Sequence, residues 1–477
     1  MPRRHHVLMI SAALAAGCAT NPVTGKSQLS LVSESQEIEM GRQAAQQTLA
    51  EIGEVKNPGL QAYVSRIGKE LAARSERPQL PWEFHVVDDA SVNAFALPGG
   101  FIFVTRGLMT YMTNEAELAT VMGHEIGHVT NRHSVSQISK AQVAQLGLGI
   151  GSILSPTVAR FGQLASAGLQ LLFLKYSRDA ENEADLAGFR YALADNYDVR
   201  EMSDVFQTLD RLDQASGQQG KLPGWLSTHP APADRIQNTQ ARLDTLHQSL
   251  ANTKVNRDVY LQQVNGLTFG EDPRQGFFRN GLFLHPDLRF QIQFPNGWQT
   301  QNTAQAVMAG SPNQDAIIQL TLGQGTPSAA AQQFFSQQGI QSRNVGNTTI
   351  NGLPAVSGYF QAQTDQGAVA GLVTFVSYGN ATYQLLGYTP VAGLSQYDPV
   401  FRQTMASFGQ LTDASALNVR AAKVELVRVP RAMTIAEFNS QYPSSIPVEQ
   451  VAIINEVGAD GRLAAGSMAK RVTGGVK

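Results

Sequence analysis

The chain has 477 residues, enough for roughly two to four domains with separate cores. Its 36 basic and 38 acidic residues nearly cancel, and no basic cluster is interleaved with aromatics, which excludes a nucleic-acid-binding surface. Cys18 is the only cysteine, so no internal disulfide is possible. Arg3 and Arg4 precede a short apolar run, Val7 to Ala16, and Ala15-Ala16-Gly17-Cys18 carries the small residues of a cleavage site. Residues 1–17 therefore read as an export signal, too short to span a membrane. Cys18 is the expected acylated first residue of a mature lipoprotein, the alternative being a plain soluble secreted protein.

Asn21 to Lys26 is turn-rich and reads as a tether, followed by an amphipathic helix from about Ser33. A second helix is predicted over about Pro58 to Ser75. Phe84 to Val87 alternates like a half-buried strand, and Phe101 to Thr105 forms another after the Pro98-Gly99-Gly100 turn. Gly100 to Val104 is the expected strand edge on which an extended substrate would pair.

The stretch from Glu117 to His133 contains His124-Glu125-Ile126-Gly127-His128. Asn114 as N-cap, Glu117 at the third position and an apolar stripe through Ala116, Leu118, Ala119, Met122, Ile126 and Val129 predict a helix. Residues four apart share a helix face, so His124 and His128 can converge on one metal while Glu125 sits beside it, the zincin arrangement. A third ligand three residues beyond Asn131 would require His at 134, which is Ser134. His133 reads as an ordinary polar residue near the helix end. The remaining source is a later glutamate.

Ala141 to Ala159 carries no charge but includes Gly147, Gly149, Gly151 and Pro156, which fits a mobile flap over the cleft better than a membrane span. A second helix follows over Ser177 to Gly188. Glu181 and Asp185 lie four apart, so one can reach the metal while the other accepts the remaining N–H of a ligating histidine; Glu183 points elsewhere and reads as solvated. Thr228-His229-Pro230-Ala231-Pro232-Ala233-Asp234-Arg235 reads as a loop entering a long helix, about Asp234 to Leu250.

Taken together, Asn93 to Gly100, Asn114 to Ala119, the His124 to His128 motif, and Ser177-Arg178 with Glu181, Ala184 and Asp185 resemble the gluzincin peptidases. That family includes HtpX, the CAAX prenyl endopeptidases and periplasmic BepA- and LoiP-type proteases, some of them lipid-anchored. The likeness runs from about Asn21 to Leu243. It implies Glu181 as third zinc ligand and Asp185 as the supporting acid, sometimes described as a proton donor. It also implies that His229, in a His-Pro-x-Pro-x-x-Arg element, is an inhibitory fourth ligand or an oxyanion stabiliser, with Arg235 fixing its loop. Ala19 after the cysteine, by resemblance to bacterial lipoproteins, points to the outer membrane.

Beyond residue 265 there are no helical repeats. Leu288 to Phe294 enters a Pro-Asn-Gly-Trp turn, and further strands at Ala316 to Leu322, Ala368 to Tyr378 and Ala381 to Tyr388 surround a helix near Ser328 to Gln338. That is an α/β sandwich over 275–412, similar to small PsbP- and Mog-type domains and read as a docking module. Residues 419–477 read strand, helix, helix, strand and look like a diverged LysM module, with Arg431-Ala432 in place of the usual Gly-Asp; it either binds glycan or acts as a structural cap.

The expected fold class is α+β: a mainly helical zincin domain with a small sheet over 18–265, then the sandwich, then the small module. The expected function is a zinc endopeptidase cleaving misfolded or misassembled envelope proteins, with His124, His128 and Glu181 binding one Zn2+ and Glu125 activating a zinc-bound water. Protein or peptide substrates, the membrane through Cys18, and envelope assembly machinery or peptidoglycan are the expected partners, at the periplasmic side of the outer membrane. The alternatives are a non-proteolytic envelope chaperone and a peptidoglycan-associated scaffold.

Overall fold

The computed structural model describes residues 18–145, 175–217, 225, 228–229, 232–364 and 367–475. The expected flap lies outside the described residues except for 141–145, which end the helix His133–Gln145. Among the described residues no helix is long and apolar enough to cross a membrane. Helices and sheets both contribute, as an α+β chain requires. Residues 1–271 with 422–474 form one compact unit, and 272–421 with 475–477 another.

In the first unit, local sequence sets the helix starts. Ser33 and Gln36 make a reciprocal capping box at the head of Glu34–Glu51. Asn57 caps Pro58–Ala72, which buries Leu60, Val64, Ile67 and Leu71 at helical spacing. The small sheet is three-stranded: Phe101–Thr105 lies in the centre, parallel to Glu83–Val87 and antiparallel to Ala94–Leu97. Gly100 to Val104 is therefore not the expected free edge. Its near-continuous apolar run is buried on both faces, the mark of an inner strand, and Glu83–Val87 and Ala94–Leu97 are the two edges instead.

The motif helix, Glu115–Thr130, begins at the Asn114 cap, whose side chain accepts from the Glu117 N–H. Every residue in it is buried, so the predicted apolar stripe describes only one face. The polar faces are covered by partners: Glu115 accepts from Tyr197 and Asn256, and Glu117 accepts from the Thr113 N–H. Helix Arg178–Ala194, capped by Ser177, packs against it along a seam of small residues. A Cβ on Gly188 would stand 2.6 Å from the His124 nitrogen, and one on Gly127 2.8 Å from the Ala184 carbonyl oxygen. That backbone-to-backbone approach lets short acidic side chains of one helix reach the histidines of the other.

The last segment has the predicted order: Lys423–Arg428 pairs antiparallel with Met468–Thr473, and helices Ile435–Gln441 and Val448–Ile454 lie between. It does not stand apart as the sequence reading placed it, since residues 422–474 belong to the first unit. The fully buried Lys470 ammonium donates to the carbonyls of Thr110 and Met112 at 2.8 and 2.7 Å, and Thr113 Oγ1 donates to Glu456 at 2.5 Å. The module thus closes over the turn that starts the motif helix.

The second unit carries a seven-stranded antiparallel sheet and a four-stranded one. Helix Leu394–Ala406 supplies Tyr397, Phe401 and Met405 to a core with Phe290, Ile318, Val376 and Leu385. Helix Pro327–Phe335 buries Ala330 and Ala331 with Val356, Phe360, Val373 and Phe375. The strands Ile317–Gly323, Gly367–Tyr378 and Ala381–Pro390 lie where alternation placed them. The hairpin of Ile340–Ile350 and Leu353–Thr364 was not predicted, because the first of these is an exposed, polar edge strand with no alternating pattern to read.

Candidate metal centre

Four side chains from three segments meet above the glycine seam. Ligand atoms of His124, His128, Glu181 and His229 all lie within 4.8 Å of one another, and all four residues are buried. His124 Nε2 is 3.0 Å from His128 Nε2 and 3.3 Å from His229 Nδ1. The Glu181 oxygens stand 3.6 Å from His124 Nε2 and 3.5 Å from His128 Nε2. Burial, then the neighbouring His124, holds His128 well below its ordinary pKa, so its imidazole is neutral. Imidazole nitrogens turned toward one another beside a carboxylate make a donor set that fits one Zn2+ ion rather than the all-oxygen shell of calcium or magnesium.

Glu125 is buried next to this group, and its Oε1 has no hydrogen-bond partner among the described residues. His229 Nε2 is 3.8 Å from Oε1. Burial raises the Glu125 pKa although His229 and His124 oppose it, leaving a carboxylate more basic than an exposed one. A buried carboxylate oxygen without a donor is costly in a structural site and useful in one that must take a proton.

Asp185 accepts from His124 Nδ1 at 2.8 Å. Burial alone would raise its pKa, but Arg235 and His124 outweigh that and hold it far below the usual carboxylate range. Asp185 is thus held as an ionised acceptor for the His124 Nδ1–H. Burial likewise opposes ionisation of Glu181, and His229 and Arg235 outweigh it. His229 Nδ1 faces the Glu181 oxygens at 2.9 and 3.1 Å; burial disfavours the charged ring, yet Glu181 and Glu125 raise its pKa overall.

Arg235 does more than fix a loop. Its guanidinium is buried, donates to both Asp185 oxygens at 2.9 and 2.5 Å, lies 3.4 Å from Glu181 and stacks 4.2 Å from the centroid of Phe206. His133 is not an ordinary helix-end residue either. Arg132 adopts a left-handed conformation, φ 56°, that ends the motif helix and turns His133 back to place its Nδ1 2.9 Å from His128 Nδ1. Nor is Glu183 simply solvated, because its Oε2 meets His133 Nε2 at 3.2 Å. Tyr176 stacks on His128 with ring centroids 4.0 Å apart. No spacing rule reveals His133, Glu183 or Tyr176, since their approach depends on a reversal of the chain.

The fold and this site define a gluzincin-type metal centre: an HExxH helix completed by an acidic residue from a second helix. Residues 58–243 match Peptidase family M48, so this region of the chain is similar to that family. It is 31% identical over 229 residues to the mitochondrial metalloendopeptidase OMA1 of Schizosaccharomyces pombe, covering 46% of this chain and 64% of that protein. It is 28% identical over 267 residues to the beta-barrel assembly-enhancing protease of Escherichia coli K12, covering 54% of each. The chain therefore spans between about half and two thirds of the length of these relatives. Among solved structures, cyanobacterial PsbP from Synechocystis aligns with 28% of this chain and 94% of its own length at 13% identity and a TM-score of 0.24, too low to argue from.

Proposed function

We propose that this chain is a zinc metalloendopeptidase that cleaves proteins of the bacterial envelope. The observation that carries the reading is the buried Glu125 Oε1, without a hydrogen-bond partner among the described residues, beside the His124 and His128 nitrogens and the Glu181 carboxylate. When bound by His124, His128 and Glu181, Zn2+ supplies Lewis acidity toward a peptide carbonyl and lowers the pKa of water to about 7. Glu125 takes the proton of the attacking water and returns it to the leaving amine, a role that suits a carboxylate raised by burial. Asp185, kept ionised by Arg235, orients His124 and favours its Nδ1–H tautomer. An extended substrate pairs on the Ala94–Leu97 edge. His229 stands where a fourth ligand closes the site, and it keeps the enzyme latent until it moves.

The location we propose is the periplasmic side of the outer membrane, anchored through Cys18; the export-type leader and the similarity to a protease named for beta-barrel assembly support it. Two variants test the reading. Glu125→Gln is expected to keep its zinc and lose cleavage of an unfolded protein such as casein by at least about a hundredfold, since a positioned general base contributes about 10²–10⁴. His229→Ala is expected to raise cleavage several-fold; a loss of cleavage at full zinc occupancy would instead assign His229 to transition-state stabilisation.

A further inference from the structure

The two histidines of the motif are held in different ways. His124 is fixed directly by a carboxylate, through Nδ1 to Asp185 at 2.8 Å. His128 has no carboxylate on its Nδ1; that atom meets another imidazole, His133 Nδ1, at 2.9 Å, and His133 Nε2 in turn meets Glu183 Oε2 at 3.2 Å.

Proton counting along this row leaves one arrangement for neutral rings. An ionised Glu183 only accepts, so His133 carries its proton on Nε2 and donates it. The Nδ1 of His133 is then bare and accepts, which requires His128 to carry its proton on Nδ1. His128 Nε2 is left bare, and it is the atom that faces His124 Nε2 at 3.0 Å and Glu181 Oε1 at 3.5 Å. The ring is held from a second side by Tyr176, stacked at 4.0 Å and anchored through its hydroxyl to Ser134 at 2.9 Å. Lys26, in the turn after Cys18–Thr20, ends the row 3.9 Å from Glu183.

We propose that His133 and Glu183 are positioning residues for the metal ligand His128: Glu183 orients the His133 ring, whose bare Nδ1 accepts the His128 Nδ1–H and turns the His128 Nε2 lone pair toward the metal. The row does for His128, with an imidazole inserted, what Asp185 does for His124. This rests on the reading of His128 as a zinc ligand. Partners of this kind commonly contribute ten- to a hundredfold to metal affinity.

The test is zinc affinity of the full chain, measured by competition with a chromophoric chelator, together with the visible spectrum of the Co2+-substituted protein. His133→Leu is expected to bind zinc about ten- to a hundredfold more weakly and to shift the Co2+ bands. His133→Asn, whose amide oxygen can accept from His128 at the place of Nδ1, is expected to recover most of that affinity. Glu183→Gln, which still offers an acceptor to His133 Nε2, is expected to change it by no more than a few-fold, whereas Glu183→Leu is expected to weaken it. Wild-type affinity and an unchanged Co2+ spectrum in His133→Leu would overturn the proposal. Should His133→Leu not fold, equal loss in His133→Asn and His133→Phe would overturn it too, because a merely space-filling role would not distinguish an acceptor from a hydrocarbon. Wild-type protein that takes up no zinc would instead refute the metal centre itself, leaving the Co2+ comparison with no signal in any variant.

Discussion

The motif helix and the seven-stranded sheet bury opposite kinds of side chain. Glu115–Thr130 is enclosed with two glutamates at its start and His124, Glu125 and His128 along it; Glu115, Glu117, His124 and His128 are hydrogen-bonded, and Glu125 Oε1 has no partner among the described residues. The core that Phe401 shares with Phe290, Ile318, Val376 and Leu385 is built mainly from hydrocarbon and aromatic side chains, with no buried charged side chain among these partners. The shifted carboxylates of that second unit lie at the surface instead, as with Asp315, lowered by its hydrogen bonds from Tyr397 and Ser311. Apolar burial suffices to build the second unit; the proposed catalytic core must hold polar groups dry and paired, and keeps one Glu125 oxygen without a partner among the described residues.

That comparison can be broken first in the second unit. Phe401→Ala removes a fully buried ring and should destabilise the second unit by about 3–5 kcal/mol in chemical denaturation. Zinc content and casein cleavage of the folded variant should stay at wild-type values; a loss of zinc would show that the two cores are not independent. Next comes the helix seam. Gly188→Val places carbon atoms against the His124 backbone and should cost the first unit about 2–3 kcal/mol by overpacking. Zinc stoichiometry should fall with it, because Glu181 and Asp185 ride on the displaced helix. Retained zinc in a stable variant would mean that the seam does not position the site.

The smallest effect is a pH dependence at the junction of the motif helix with the C-terminal module. Burial, aided by Asp204 and Asp198 and opposed by the hydrogen bond from Asn114, pushes Glu201 up to about 7. A folded pKa above the unfolded value means the native state holds the proton longer, so this group's contribution is present below about pH 4.5 and is lost as pH rises through about 7. Glu201→Gln should remove that loss. Discounted for partial exposure, its stability relative to wild type should grow by about 1 kcal/mol between pH 5 and pH 8, read from urea midpoints. A difference that does not vary with pH would place the Glu201 carboxyl in ordinary solvent.

Much of this centre was legible because it is helical and local. The four-residue spacing of His124 and His128, the Asn114 cap and the Glu181/Asp185 pair each follow from the period of a helix. The identity of the third ligand entered only through family resemblance, because spacing left Glu181 and Asp185 interchangeable. His133 and Glu183 escaped because they meet across a left-handed reversal at Arg132, where no periodicity applies. The edge assignment failed at Phe101–Thr105 because a strand order is a long-range fact: the parallel pairing with Glu83–Val87 skips over Ala94–Leu97. In the second unit alternation placed the inner strands, while the polar edge strand Ile340–Ile350 left no signal. The packing of the last segment against the start of the motif helix was hidden because it depends on long-range contacts such as those of Lys470 with the Thr110 and Met112 carbonyls.

The most direct test of the central claim is cleavage of casein by purified protein lacking residues 1–18, with zinc quantified in each sample, for the pair wild type and Glu125→Gln and for the same pair carrying His229→Ala. The account predicts equal zinc in all four and cleavage only where Glu125 is present, strongest with His229→Ala. Cleavage by a zinc-loaded Glu125→Gln protein at the rate of its parent would contradict it.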